Sequence, residues 1–178
     1  MEVIFDPNVL IMKSASYWVE LLQLTPHPEG GFFKETYRSS EVAGKECLSD
    51  GFTGKRNFST AIYFLLRSQD RSLFHRIKSD EMWHYYAGGS LTLYVLNEGG
   101  LRTYKLGTSL ENGESVQIVI PANSWFGAKV NEADNYVLCG CTVSPGFDFE
   151  DFEMASREEL LKAFPFEREV IELLTQPT

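Results

Sequence analysis

Short β-forming runs separated by turn signals fill the middle of this chain and restrict its fold more than any other feature. Five of these runs are rich in β-branched and aromatic residues, and they begin at Phe32, Phe58, Leu91, Ser115 and Asn135. The segment NEGG at 97–100 and the pair Asn112-Gly113 are typical of tight hairpin turns. No helical pattern separates the central runs, which disfavours a parallel α/β fold. The sequence therefore predicts an all-β sandwich or barrel.

The N-terminal region differs from this middle, because its apolar residues recur at helical spacing. Residues 14–24 predict a helix that Ser14 or Ser16 caps and that ends before Pro26. The apolar segment at 3–12 precedes this helix and is a candidate for covering a neighbouring copy of the chain.

The C-terminal region predicts short helices over about residues 156–174, with Ser156 and Glu159 in the positions of a capping box. Between the two helical ends, a strand-rich barrel is predicted over about residues 32–153. The chain shows no repeat and no linker, so residues 1–178 are expected to form one domain.

Composition argues against several classes of partner. The net charge is -9 without a basic stripe, so nucleic acids should be repelled. The sequence contains no run of about 18 apolar residues, so a membrane span is not expected. The first residues carry acids and lack a basic start, which argues against a signal peptide. Three cysteines give no paired disulfide framework, so a reducing cytoplasm is the expected location.

The stretch from Phe74 to Gly89, FHRIKSDEMWHYYAGG, combines groups that transfer protons or bind metals with residues that favour burial. One interpretation is a buried strand with a satisfied histidine and a rim of acids. The other is a site, because His75, Glu81, Trp83 and Tyr85 share odd numbering and would face the same side of a strand.

The first predicted strand is a second candidate wall of such a site. Phe33, Glu35 and Tyr37 alternate onto one face, which is either an exposed rim or the wall of a cavity. Together with Trp125 and Phe126 they predict an aromatic pocket, which suits a flat or sugar-like ligand. The alternative interpretation of the aromatic residues alone is an ordinary core.

Three segments resemble the cupin superfamily, and more closely an uncharacterised cupin subfamily. The segments are HPEGG with ETYRS at 27–39, H-SDE-WH-Y-GG at 75–89 and CTVSPGFDFEDFE at 141–153. The resemblance extends over about residues 17–164. It implies a jelly roll, which is a double-stranded β-helix.

The resemblance also implies positions for metal ligands, and this chain keeps only part of them. His75 and Glu81 occupy the first histidine and the glutamate positions of the superfamily motif, whereas Ile77 and Phe126 occupy the two remaining histidine positions. His84 lies three residues from Glu81 and is expected on the opposite strand face. No cofactor is therefore expected, with a divalent metal held by His75 and Glu81 as the alternative.

A narrower resemblance connects GGFFKETY with a segment near the start of the deoxysugar-nucleotide 3,5-epimerases, which are metal-free cupins. It implies His75 as the catalytic base and Tyr85 or Tyr37 as the acid, while Glu35 or Glu81 orients the imidazole.

Three functions follow as hypotheses. The first is a small-molecule-binding cupin without a complete metal site, which could act as an epimerase or isomerase through His75. The second is a metal-dependent cupin enzyme that uses His75 and Glu81. The third is a non-enzymatic binding or storage-type cupin. In each case a homodimer or higher homo-oligomer is expected, because jelly rolls of this size often pair and cover their edge strands.

Overall fold

The computed structural model describes residues 13–177, so the apolar segment at 3–12 lies outside the described residues. The helices predicted at the two ends are present as α1 (Ala15–Leu21), α2 (Arg157–Ala163) and α3 (Arg168–Leu173). Ser14 caps α1 by accepting a hydrogen bond from the backbone N–H of Tyr17 at 3.1 Å. Ser156 caps α2 in the same way and accepts from the N–H of Glu159 at 3.4 Å. No helix within residues 13–177 has the length and apolar character to cross a membrane.

Fourteen strands are present in the described part of the chain. They are β1 (Thr25–Pro26), β2 (Phe32–Arg38), β3 (Val42–Ala43), β4 (Arg56–Asn57), β5 (Thr60–Arg67), β6 (Ser72–Arg76), β7 (Asp80–Gly88), β8 (Leu91–Asn97), β9 (Gly100–Leu106), β10 (Glu114–Ser115), β11 (Gln117–Ile120), β12 (Trp125–Val130), β13 (Tyr136–Ser144) and β14 (Glu153–Met154).

Two six-stranded sheets contain almost all of these strands. Sheet I has the order β1-β2-β5-β13-β7-β11, and sheet II has the order β10-β9-β8-β12-β6-β14. Neighbouring strands are antiparallel except for the short β9–β10 pair, which is parallel. The strands β3 and β4 form a separate ribbon. This arrangement confirms the predicted all-β class.

The main core lies between the two sheets. Trp83, Phe64 and Phe126 are among its largest fully buried side chains, and each such burial stabilises the fold by about 1.5–3 kcal/mol. A second apolar cluster joins the outside of sheet II to α2 and α3, and a third joins the outside of sheet I to α1. With helices packed outside each sheet, the space between the sheets is left to side chains of strands, turns and loops.

A β-bulge in β2 changes the predicted orientation of two side chains. Phe33 and Glu35 face the interior, as their numbering predicted, but the register with β5 shifts between Glu35 and Tyr37. The extra residue, Thr36, turns Tyr37 to the outer face and brings Arg38 to the inner one. The expectation that Tyr37 shares a face with Phe33 and Glu35 is wrong for this reason.

Candidate functional site

A cavity of about 170 Å³ lies between the sheets and opens to solvent at one end. Its titratable and charged wall residues are His27, Glu29, Glu35, Arg38, His75, Glu81, Cys141 and Asp148. Its phenyl groups come from Phe33, Phe64, Phe147, Phe149 and Phe152. The combination of apolar walls with a few converging polar groups is typical of small-molecule sites.

Sheet I supplies one wall through aligned inner-face residues on neighbouring strands. Strand pairing places Thr60, Val143 and Glu81 side by side on β5, β13 and β7. The next inner row along the same strands contains Ile62 and Cys141. This alignment puts one acidic side chain, Glu81, in an otherwise mostly apolar wall.

The turn between β1 and β2 supplies the opposite wall. Gly30 closes this turn by donating its N–H to the carbonyl of His27, with a φ of +115°. A side chain at Gly30 would collide with the backbone carbonyl of Arg71, so the turn packs directly onto the start of β6. The backbone N–H of Leu73 donates to the carbonyl of Glu29 at 2.9 Å, which fixes the Glu29 side chain beneath β6.

Glu29 and His75 form a buried ion pair at the bottom of the cavity. His75 Nε2 lies 3.0 Å from Glu29 Oε2, and the Ser72 hydroxyl donates to Glu29 Oε1 at 2.8 Å. His75 Nδ1 lies 2.7 Å from the carbonyl oxygen of Leu73, to which it donates. Burial alone would lower the pKa of His75, but the charge and hydrogen bond of Glu29 outweigh burial and raise it. Burial alone would raise the pKa of Glu29, but His75 lowers it.

His27 lies beside this pair but, unlike His75, is uncharged. Its Nδ1 accepts the backbone N–H of Glu29 at 3.3 Å, which leaves Nε2, on the other side of the ring, as the proton-bearing nitrogen. The ring packs edge-on against Phe33 with centroids 4.5 Å apart. Burial lowers the pKa of His27, so this imidazole is neutral at pH 7.

Glu81 is the carboxyl group whose titration lies nearest to neutrality. It is 8% exposed, and burial, with the charge of Glu29, raises its pKa to about 7 against the lowering effects of His75, Cys141 and Trp83. The indole Nε1 of Trp83 is buried and makes no hydrogen bond of good geometry with any residue between 13 and 177. A proton on Glu81 can therefore be taken up or released near pH 7.

Cys141 faces the cavity from β13, two residues from the equally buried Cys139. Burial raises the pKa of Cys141 well above its usual range, and Cys139 and Glu81 raise it further. The thiol is therefore protonated and contributes an apolar, weakly donating surface beside Glu81.

Arg38 and the loop from Phe147 to Phe152 surround the open end. The Arg38 guanidinium binds Glu35 through two nitrogens, at 3.0 and 2.7 Å, and also donates to Asn57 Oδ1 and to the carbonyl of Phe147. Three phenyl rings of this loop pack edge to face, and Phe149 remains exposed at the rim.

A buried salt bridge holds this loop in place. Arg56 binds both oxygens of Asp151, at 2.6 and 2.8 Å, and Lys78 lies 3.2 Å from the same carboxylate. Because Asp151 lies directly before Phe152 in the chain, this salt bridge fixes the end of the loop against the barrel.

Four of the side chains predicted for the site line the cavity together: Phe33, Glu35, His75 and Glu81. Phe126 does not line it, but its ring contacts His75 with centroids 4.1 Å apart. The predicted inward orientation of the odd-numbered residues on β7 is also found, because Trp83 and Tyr85 both pack in the central core.

Four other predicted site residues lie away from the cavity. Tyr37 is 54% exposed on the outer face. Trp83 packs against Phe64 within the core, and the Tyr85 hydroxyl donates to the carbonyl of Gly88. Trp125 packs with the C-terminal helices, since it precedes Phe126 on one strand and must face the other side of sheet II.

The structure adds His27, Glu29 and Arg38 to the predicted set. The HPEGG turn that carries His27 and Glu29 is visible in the sequence, but nothing local shows that it docks on β6. His84 lies outside the cavity as predicted, and its two ring nitrogens contact Thr142 and Gln117 at 3.0 Å.

The residues present do not fit the divalent metal ion that metal-binding cupins hold. Among residues 13–177, no three His, Cys, Asp or Glu side chains are arranged to bind a metal ion. His75 offers no free nitrogen to the cavity, because Nδ1 donates to Leu73 and Nε2 faces Glu29. Ile77 and Phe126 are apolar where further ligands would be needed.

Comparisons with known proteins agree with this architecture. The structure matches protein SO0799 from Shewanella oneidensis with a TM-score of 0.83 and 40% identity, over 94% of this chain and 100% of that one. A hypothetical protein from Leishmania major matches with a TM-score of 0.83 and 35% identity, over 93% and 100% of the two chains. A cupin 2 domain-containing protein from Halorhodospira halophila, with a TM-score of 0.53 and 12% identity over 86% and 88%, shares the fold.

Sequence comparison identifies the family. Uncharacterized protein YML079W of Saccharomyces cerevisiae is 35% identical over 149 residues, which are 79% of this chain and 74% of the yeast protein. The model of the family described as Cupin superfamily (DUF985) matches residues 16–155. With the two-sheet barrel described above, this match shows that the chain belongs to the DUF985 family of the cupin superfamily.

Proposed function

We propose that this protein binds a small sugar-like carbonyl compound and moves a proton on it, as an epimerase or isomerase does. The observation that carries the proposal is a carboxyl group, Glu81, buried on the wall of an aromatic cavity with its pKa raised to about 7. A base that removes a proton next to a carbonyl works best when its pKa lies near the working pH.

Glu81 is the base in this proposal, in place of His75. Both nitrogens of His75 already have partners, so His75 serves as the fixed cation that holds Glu29 in place. The proton-bearing Nε2 of His27 is the donor available to polarise a carbonyl oxygen. Removal of the proton by ionised Glu81 and its return from protonated Glu81 then complete the exchange.

The size of the cavity limits the ligand. A dry cavity of about 150 Å³ holds a benzene ring, and this cavity measures about 170 Å³. A ligand fragment of about six to eight non-hydrogen atoms therefore fits inside, and any larger part must lie at the open end beside Arg38.

Deuterium exchange tests the proposal. Aldoses, ketoses and 2-amino-2-deoxy sugars of roughly three to six carbons are incubated in D₂O with the protein, and ¹H NMR follows the proton next to the carbonyl. We expect exchange of at least one compound, slowed by about 100-fold or more in Glu81→Gln. The exposed Glu111→Gln variant should retain the wild-type rate. Exchange at the wild-type rate in Glu81→Gln would remove Glu81 from the reaction, and binding without any exchange would leave a non-enzymatic binding protein.

A further inference from the structure

Two ion pairs on the cavity wall cancel their own charges. Glu29 lies 3.0 Å from His75 at the bottom, and Glu35 lies 2.7 Å from Arg38 at the open end. An ion pair at such a distance presents little net charge to a third group. The charge that a ligand meets is therefore set by the remaining wall residues.

The remaining titratable wall residues that can carry charge are both acidic. Glu81 lies deep in the cavity, and Asp148 lies near the open end. Asp148 raises the pKa of Arg38 and Arg56 through space, but both guanidinium groups form their ion pairs with other carboxylates. His27 adds no charge, because burial lowers its pKa.

Among the described residues that line the cavity, no cation is free of an acidic partner. Each nitrogen of the Arg38 side chain already donates, to Glu35, to Asn57 or to the carbonyl of Phe147. Both nitrogens of His75 are also engaged. A carboxylate or phosphate would have to share the Arg38 charge with Glu35 and approach Glu81, which opposes binding.

Glu81 itself forms no ion pair among residues 13–177, because His75, the cation that it faces, is paired with Glu29. Its side chain is over nine-tenths buried and faces the cavity, where the neutral Cys141 thiol and the neutral Trp83 indole are its hydrogen-bonding neighbours. An ionised carboxylate in a buried site is unfavourable unless it is paired, so a ligand cation that reaches Glu81 would stabilise its charged form. The surrounding phenyl groups of Phe33, Phe64 and Phe152 can accommodate the carbon part of a ligand, and aromatic faces also attract organic cations.

We infer that the ligand of this cavity is a small organic ammonium compound, whose nitrogen lies against Glu81 and whose carbon skeleton packs among the phenyl groups. The inference rests on the proposed function and narrows it, since the carbonyl compound would then carry an amino group. An acidic protein with a net charge of -9 also favours the approach of a cation over that of an anion.

Three probes of nearly equal size test the charge preference: benzylammonium, benzyl alcohol and benzoate. Calorimetry at about pH 8, where Glu81 is mostly ionised, measures each affinity. We expect benzylammonium to bind at least about tenfold more tightly than benzyl alcohol, and benzoate to bind most weakly. Equal affinity of the ammonium and the alcohol, or tighter binding of benzoate, would overturn the inference.

Two variants test which wall residues determine the preference for a cationic ligand. Glu81→Gln should reduce the preference for benzylammonium over benzyl alcohol to within about twofold, whereas the exposed Glu111→Gln should leave it unchanged. Glu35→Gln leaves the Arg38 charge unmatched, and it should strengthen benzoate binding. A preference that survives in Glu81→Gln would place the cation elsewhere and contradict the assignment.

The pH dependence adds an independent check. Glu81 faces His75 on β6, Glu29 in the β1–β2 turn, and Cys141 and Trp83 on its own sheet. Benzylammonium affinity should rise between about pH 6 and about pH 8, because Glu81 loses its proton and any loss of charge on His75 acts in the same direction.

The binding results with the three probes also distinguish a failure of the ammonium inference from a failure of the proposed function. Binding of benzyl alcohol with no ammonium preference would keep the small-molecule cavity and reject the ligand class. Failure of all three probes to bind at millimolar concentration would count against both.

Discussion

At the scale of single residues, this site shows that burial does not determine a pKa without its neighbours. Glu29 and Glu81 are both buried carboxyl groups, yet the pKa of Glu29 is lowered and that of Glu81 is raised to about 7. The difference is His75, which binds Glu29 directly at 3.0 Å and affects Glu81 only through space. Direct pairing with His75 therefore keeps Glu29 ionised, whereas Glu81, which is not paired with it, titrates near neutral pH.

The first prediction concerns Glu81 and stability. Its folded pKa is about 7 against an ordinary value of 4.5, so the folded protein binds this proton more tightly than the unfolded chain. The contribution is present below the unfolded pKa and is lost as pH rises towards the folded one, by about 3 kcal/mol in total. Urea unfolding should show Glu81→Gln gaining about this much relative to wild type between about pH 4.5 and about pH 8. Parallel pH profiles for the two proteins would contradict a raised pKa.

The second prediction concerns the Glu29–His75 pair. The pKa of Glu29 is lowered, so its stabilisation is present above its ordinary value and is lost as pH falls through the folded pKa. The pKa of His75 is raised, so its stabilisation is present below its ordinary value and is lost as pH rises through the folded pKa. Glu29→Gln should therefore reduce the free energy of unfolding most near pH 6, by about 3 kcal/mol.

Urea titrations at several pH values measure this loss. Glu153→Gln breaks the exposed pair with Arg76 and is the matched control, which should cost less than about 1 kcal/mol. A Glu29→Gln variant no less stable than this control would show that the buried pair adds no stability.

Residue patterns in the sequence predicted part of this site. Phe33, Glu35, His75 and Glu81 follow from strand alternation, because each lies on a regular stretch of its strand. Arg38 could not be predicted, since the bulge at Thr36 reverses the alternation behind it. Glu29 could not be predicted either, because its contact with His75 joins residues 46 positions apart through the docking of a turn.

At the scale of elements, the main strands, the hairpin at 97–100 and both helical ends were predictable because each depends on local pattern and turn chemistry. The hairpin expected at Asn112-Gly113 is wrong, because these residues end a 3-10 turn and the strand that follows, β10, pairs parallel with β9. The residue-by-residue register between paired strands was not predictable. Bulges interrupt the pairing of β2 with β5 and that of β13 with β7, where the shift lies between Leu138 and Cys139. Such bulges respond to packing between the sheets, which no single strand sequence displays.

The third prediction concerns the loop from Phe147 to Phe152 at the open end. Arg56→Met removes the bidentate partner of the buried Asp151 and leaves only Lys78 nearby. We expect a loss of about 3 kcal/mol in the free energy of unfolding, and faster amide hydrogen exchange across this loop. Arg168→Met breaks the exposed pair with Glu172 and is the control, with an expected cost of at most about 0.5 kcal/mol.

At the scale of the whole molecule, one barrel has a filled half and a hollow half. Trp83 and Phe126 fill the space between the sheets in one half, the cavity occupies the other, and the Phe64 ring lies at the boundary between them. The filled half supplies the apolar burial that offsets the cost of burying Glu29, His75 and Glu81 in the cavity wall. Sequence reasoning predicted a pocket ringed by aromatic residues, but it placed Trp83 and Tyr85 in the wall when they belong to the filled half.

The last prediction concerns the homodimer, which remains an expectation from the sequence. Strand pairing places Tyr37, Ala61, Thr142, Met82 and Val119 in one row across the outer face of sheet I. The ends of this row are open to solvent, with Tyr37 54% and Val119 46% exposed. If two copies pair through this apolar row, sedimentation should give twice 20.2 kDa for the wild type and a monomer for Val119→Lys, because an unpaired charge would enter the interface. Leu110→Lys, at an exposed apolar residue in the turn before β10, should leave the dimer intact, and a monomeric wild type at micromolar concentration would contradict the pairing.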